Sequence, residues 1–259
     1  MRDADPVLDT AAVKALEARY GMRIPGWVPP ATMHRYYKKH EGERCFIIGN
    51  GPSLNKHDLS KLKDEWLFGC NQIYLKREKM GRSVDYYFLV DSIVVPQLFR
   101  EANRYLAEGQ TEAVFVFKGD GHYIMHPNVF ESDWCRFLNY FSNTAPLMIR
   151  IAMLMGFDPI YLIGVDMNYD GLVGSSEKVS NGIYRLMGDD KWHFDSRYLE
   201  APDGRSIEYV FLDNEMEAGF AAFDRINELA ITYGCRVLNA GVDSRLTMFK
   251  FVDYDSLFD

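Results

Sequence analysis

From residue 44 onward, short apolar runs alternate with longer stretches of helical periodicity. Cys45-Phe-Ile-Ile-Gly, Trp66-Leu-Phe-Gly-Cys, Tyr86-Tyr-Phe-Leu-Val, Val114-Phe-Val-Phe, Ile160-Tyr-Leu-Ile-Gly and Arg236-Val-Leu-Asn each read as a strand. Being apolar on consecutive residues, they are expected to be covered on both faces, as the strands of parallel sheets are. Between them the spacing predicts helices over residues 92–108, 144–156 and 214–233. In the last, Met216, Phe220, Phe223, Ile226, Leu229 and Ala230 share one face, and Glu215, Glu217, Asp224 and Glu228 point elsewhere. Gly234 stands where a C-cap glycine is expected. Strands alternating with helices imply βαβ units. The expected fold is α/β: a single Rossmann-like domain over residues 43–259, with a mostly parallel sheet flanked by helices.

Two regions depart from this pattern. Residues 1–42 read as an N-terminal helical extension: Val13, Leu16 and Tyr20 lie at helical spacing, and Pro25, Pro29 and Pro30 form a connector. The basic run Arg35 to Lys39 then reads either as a solvated face or as a contact for an acidic acceptor or anionic lipid headgroups. Residues 168–212 are rich in Gly, Ser and Asp and lack periodicity. Their aromatic residues (Tyr169, Tyr184, Trp192, Phe194, Tyr198) favour a lid over a disordered segment.

Composition narrows the partners. Of 259 residues, 47% are hydrophobic and 25% charged, enough apolar material for a sizeable core. A net charge of −8 runs against nucleic acid as a partner, which calls for clustered Lys and Arg. A small anion remains compatible, because a few aimed amides bind one inside an acidic protein. Cys45, Cys70, Cys135 and Cys235 form no C-x-x-C pair and are expected as reduced core thiols, as in a cytoplasmic protein. The first residues lack the apolar run of a signal peptide, and no stretch approaches the ~20 apolar residues of a membrane span. Peripheral contact at the inner face of a membrane stays open.

The polar residues that end the strands carry the candidate chemistry. The first strand runs into Gly49-Asn50-Gly51-Pro52-Ser53. Its glycines permit close approach of a ligand, and amides at a strand-to-helix turn suit a phosphate. Position 54 is Leu rather than the third glycine of the dinucleotide fingerprint, which speaks against NAD. The second strand ends in Asn71-Gln72, the third in Asp91-Ser92, and the fifth in Asp166-Met-Asn168-Tyr169. At the carboxyl edge of an open α/β sheet these clusters are expected to form one site. His193, among Asp189, Asp190 and Asp195, is a candidate general base because an imidazole titrates near neutrality. His122 and His126 stand four residues apart, a metal-pair spacing that Gly119 and Gly121 weaken as a helix.

Gly-Asn-Gly-Pro-Ser-Leu, Cys-Asn-Gln-Ile-Tyr and Met-Gly-Phe-Asp-Pro-Ile-Tyr-Leu-Ile-Gly-Val-Asp resemble the bacterial sialyltransferases that modify lipooligosaccharide. They resemble equally the broader hydroxymethylpterin diphosphokinase-like group, over roughly residues 43–258. The sialyltransferase resemblance implies that Asn50, Gly51, Ser53 and Asn71 contact a CMP-sugar. By a looser match it implies Thr144 as well. Tyr169 would hold the donor phosphate, His193 would act as general base, and Asp166 would brace the lid. Where that pattern has Asn, this chain has Asp91.

The resulting expectation is a metal-independent glycosyltransferase without a cofactor. It would move a sugar from a nucleotide-activated donor, CMP-sialic acid or a related keto-sugar acid, to a glycan hydroxyl at the cell surface. Two alternatives stand beside it. One is an ATP-using, Mg-dependent pterin diphosphokinase with Asp91 and Asp166 on the ion. The other is a non-catalytic nucleotide-binding assembly subunit. Phe130, Trp134, Phe137, Tyr140 and Phe141 suggest either a homo-oligomer interface or a satellite core.

Overall fold

The computed structural model describes residues 35–91, 93–117, 124–132, 143–180, 182–201, 204–211 and 215–259. The 9–20 segment, Ser92, His122, Cys135, Trp134, Phe137, Tyr140 and Phe141 lie outside the described residues.

Eight parallel strands form the main sheet: β1 (Cys45–Ile48), β2 (Trp66–Cys70), β3 (Tyr86–Leu89), β4 (Ala113–Phe117), β5 (Val129–Ser132), β6 (Ile160–Ile163), β10 (Val237–Asn239) and β11 (Lys250–Phe251). Their order is β11-β10-β6-β1-β2-β3-β4-β5. The chain builds outward from β1 to β5 in one direction, then returns to β1's other side as β6. The order therefore reverses between β1 and β6, the position at which open α/β sheets form a crevice.

Side-chain alternation sorts the apolar runs onto two faces. Cys45, Ile47, Phe68, Phe88, Phe115 and Leu162 belong to one core, covered by helices Thr144–Leu154 and Glu215–Tyr233. Phe46, Ile48, Leu67, Leu89, Val114 and Ile163 belong to the other, covered by helix Val95–Glu108 and by the leucines of a 3-10 helix at Leu59–Asp64. Both faces are buried, so a continuous apolar run is the signature to expect, and fully burying each such side chain contributes about 1.5–3 kcal/mol.

The six strands and three helices read from the pattern are present. The first of these helices spans Val95–Glu108, and just ahead of it the Asp91 carboxylate accepts hydrogen bonds from the Ile93 and Val94 amides. The 144–154 helix is capped by Asn143, whose Oδ1 accepts from the Ala145 amide at 3.0 Å. Residues 168–212 correct the expectation of a segment without regular structure. They contain an antiparallel sheet of β7 (Ser176–Ser180), β8 (Ile183–Leu186) and β9 (Glu208–Val210). Its inward residues Tyr184, Leu186 and Tyr209 join the second core. Strands this short carry too few alternations to be read from sequence.

The basic run is matched within the fold. Arg35 donates to Asn128 Oδ1 at 2.7 Å, Lys38 pairs with Glu41 and Lys39 with Glu112, and Tyr36 is buried. Cys45 and Cys70 are buried free thiols, and Cys235 is partly buried.

Candidate functional site

Because all strands of the main sheet are parallel, their carboxyl ends emerge on one edge. There a cleft of about 210 Å³ is lined by Gly49, Asn50, Gly51, Asn71, Gln72, Asp91, Thr144, Asp166, Asn168, Tyr169 and His193, among others. The polar clusters that end β1, β2, β3 and β6 are thus brought together. Pro52 and Ser53 are not among the lining residues.

The first turn is shaped by the approach of β1's extension to that of β6. The Gly49 amide donates to Ile163 O and the Gly51 amide to Gly164 O, both at 2.8 Å. A Cβ on Gly49 would strike the Gly164 carbonyl, and one on Gly51 would strike the Asp166 carboxylate. Ser53 is buried, with its amide donating to Asp166 Oδ2 at 2.9 Å and its hydroxyl to Oδ1. The turn therefore closes on the protein's own carboxylate: the Gly51 and Ser53 amides, expected to suit a phosphate, already have acceptors. Only a five-residue 3-10 helix, Pro52–Lys56, follows, so no long helix aims its dipole at the turn. Asp166 braces this turn rather than the 168–212 segment, and burial raises its pKa.

Asn50 and Asn71 present a different chemistry. The Asn50 amide nitrogen donates to Cys70 Sγ at 3.2 Å and to Cys70 O at 3.4 Å. The Asn71 backbone is left-handed (φ 50°) and its carbonyl accepts from the Tyr87 hydroxyl. The side-chain oxygens of both asparagines are buried and have no hydrogen-bond partner. A buried unpaired acceptor costs about 1–3 kcal/mol, and in a cleft it asks for a ligand donor.

His193 is fixed by a tight turn. Asp190 Oδ1 accepts from the Trp192 and His193 amides, and Asp190 Oδ2 lies 2.8 Å from His193 Nδ1. The imidazole stacks on Tyr198, with centroids 4.0 Å apart and planes at 9°. Tyr198 lines the cleft together with Asn71 and Gln72. A proton held on Nδ1 by Asp190 leaves the lone pair on Nε2, the arrangement of a general base. Tyr169 lies 6.5 Å from the His193 ring and packs edge-on against Phe211.

The remaining candidates have varied surroundings. Asp91 accepts from the Ile93 and Val94 amides ahead of the 95–108 helix, and burial raises its pKa. Gln72 is buried, its side-chain oxygen accepting from the Tyr74 hydroxyl at 2.8 Å. Thr144 opens the 144–154 helix, whose first turn faces the cleft with Asn143 and Ala145. Asn168 is exposed and accepts from the Asp170 amide. His126 is not available for a metal pair: Nδ1 accepts from the Asn128 amide, and Nε2 donates to Thr111 O. Sequence reasoning missed Tyr198 and Asn143 as site-forming residues. The Asp190-x-x-His193 spacing was the one available signal for Asp190 as the ring's partner.

Asp91 and Asp166 follow β3 and β6, which stand three strands apart in the sheet, and both line the cleft. Among the described residues, no group of three or more His, Cys, Asp or Glu side chains is placed to hold a metal ion. Among the described residues that line the cleft, the charged members are Asp91 and Asp166 and none is Lys or Arg.

Fold and cleft together define a Rossmann-like α/β protein with its crevice at the β1/β6 reversal. The model of the 6-hydroxymethylpterin diphosphokinase MptE-like family matches residues 28–171, more than half of the chain, and the chain belongs to that family. The matched stretch includes Asn50, Asn71, Asp91, Asp166 and Tyr169 and ends before Asp190 and His193. Among solved structures, the MAf glycosyltransferase from Magnetospirillum magneticum AMB-1 is similar at 14% identity and a TM-score of 0.48. That likeness covers 87% of this chain but 38% of that one, and at this level it carries nothing about chemistry. No curated protein matches the chain. No helix among the described residues is long and apolar enough to cross a membrane.

Proposed function

We propose that this chain is a glycosyltransferase that takes a sugar from a CMP-linked donor, a sialic acid or related keto-sugar acid, and passes it to an acceptor hydroxyl. The carrying observation is the pairing of the Asp190–His193 dyad with two buried, unpartnered asparagine oxygens in one cleft. Asn50 Oδ1 and Asn71 Oδ1 would accept from the amino group of a cytosine or from ribose hydroxyls. A CMP-linked keto-sugar acid brings one phosphoryl charge and one carboxylate charge to the cleft. The 144–154 helix terminus at Thr144 and the Tyr169 hydroxyl can meet the phosphoryl charge.

In this reading His193 Nε2 removes the acceptor's proton as its oxygen attacks the anomeric carbon. The bond from that carbon to the phosphate oxygen breaks, and CMP leaves with the electron pair. Asp190 holds the ring's orientation and stabilises the imidazolium that forms. The acceptor would be a glycan at the cell surface, reached from the inner face of the membrane.

A second reading, pyrophosphoryl transfer from ATP to a pterin-type alcohol, is favoured by the family's description. The test is a thermal-shift screen of CMP, CDP, UDP, GDP, ADP and ATP with and without Mg²⁺, followed by CMP release from CMP-sialic acid. A shift with CMP indifferent to Mg²⁺, and CMP release abolished in His193→Ala, is expected. A shift confined to ATP or ADP with Mg²⁺ would replace this reading with the second.

A further inference from the structure

Lys76 is a buried lysine outside the cleft, and its surroundings are unusually specific. It ends the 3-10 helix Asn71–Lys76 that follows β2, and only 6% of its surface is exposed. Its ammonium donates to Asn55 Oδ1 at 2.6 Å and to the Phe194 carbonyl at 3.4 Å, and lies 4.8 Å from the Phe194 ring centroid. Asn55 returns a hydrogen bond from Nδ2 to that same carbonyl at 2.8 Å. The Phe194 amide donates to Asn50 O at 2.9 Å, and its ring meets Tyr198 edge-on. Both backbone polar groups of the residue after His193 are thereby fixed, one to the 49–53 turn and one to the Lys76–Asn55 pair.

We infer that Lys76 is a positioning residue for His193. It acts as a clamp that ties the 190–198 loop to the two segments carrying Asn50 and Asn71. Three segments far apart in sequence meet at its ammonium. An apolar side chain would fill that volume without the desolvation a buried charge carries, but it could not hold the carbonyl or Asn55. The clamp lies behind Phe194 and touches none of the cleft's polar groups, so it governs where the imidazole stands rather than how a nucleotide binds. The catalytic half of this inference rests on the transferase reading. The clamp itself does not.

The test compares Lys76→Met and Asn55→Ala with the wild type by amide hydrogen exchange, by NMR of the His193 imidazole, and by steady-state kinetics. Asn55 is exposed, so its variant is expected to fold even if Lys76→Met is poorly stable. Removing a charge-assisted bond should speed exchange of residues 190–198 about tenfold or more while β1 and β6 stay unchanged. The Nδ1–H resonance shared with Asp190 should broaden or vanish in both variants. It should persist in Ile47→Val, a core variant that lowers global stability without touching the loop.

Where the wild type transfers sugar from a CMP donor, kcat should fall by roughly 100-fold at a donor KM within about twofold. Wild-type exchange and an unchanged His193 resonance in both variants would overturn the clamp. A loosened loop with unchanged kcat would overturn its positioning role. A wild type that transfers no sugar would sink the transferase reading, and exchange and NMR would still decide the clamp.

Discussion

Asp190 and His193 are joined twice over: one carboxylate oxygen receives the His193 backbone amide, and the other lies 2.8 Å from Nδ1 of its ring. One side chain thus builds the turn and selects the tautomer. Asp190→Asn should keep the turn, since an amide oxygen can still accept the two backbone bonds. Its NH₂ would then face Nδ1 and drive the proton to Nε2, the wrong nitrogen for a base. Under the transferase reading, turnover is expected to fall about 10²–10⁴-fold with little change in melting temperature. Near wild-type CMP release from this variant would remove the dyad from the mechanism.

The 49–53 turn has no room for a side chain at Gly51. Its backbone there is ordinary (φ −70°), so the only penalty for alanine is the collision of its Cβ with the Asp166 carboxylate. Gly51→Ala should destabilise by about 1–3 kcal/mol in denaturant melts. With Asp166→Ala as the second change, the two costs should fail to add by about 1 kcal/mol or more, because the collision disappears. Strict additivity would mean that the turn relaxes some other way.

Asp85, at the amino end of β3, supplies a pH test remote from the cleft. It accepts from the Leu67 amide at 2.8 Å and pairs with Arg82, yet burial outweighs both and pushes its pKa up to about 6. An unfolded aspartate titrates near ~3.9, so the folded state binds this proton more tightly. The contribution is fully present below about pH 4 and is lost as pH rises through about 6. Relative to Asp85→Asn, the wild type should lose on the order of 2 kcal/mol between pH 4 and 7. A difference that is flat with pH would show the Arg82 pair prevailing over burial.

Gln97 fastens β9 to the 95–108 helix by two hydrogen bonds. Its amide donates to Glu208 O, and its oxygen accepts from the Glu208 amide, both at 3.0 Å. Gln97→Ala leaves two backbone groups without these partners, at a local cost of about 1–3 kcal/mol. Limited proteolysis should then cut near residues 204–211 several-fold faster. An unchanged digestion rate would place the attachment elsewhere, in the contacts among Val94, Leu98, Ala201 and Ile207.

The sequence by itself determined the architecture. Consecutive apolar residues flanked by helical periodicity can be buried only between two helical layers, and Gly49, Asn71, Asp91 and Asp166 had to emerge on one edge once those strands were parallel. What it did not carry was the partner of each polar group. That Asp166 closes on Ser53 and that Lys76 reaches Phe194 depend on segments brought together from up to 118 residues apart. Side-chain periodicity reports which face a residue takes and is silent about what stands opposite. The strands of residues 176–210 were hidden for a related reason: they are short, and packing against the second core, more than local propensity, holds them as a sheet. Only the tertiary structure turned a row of polar strand ends into a cleft with two unanswered acceptors and one oriented imidazole.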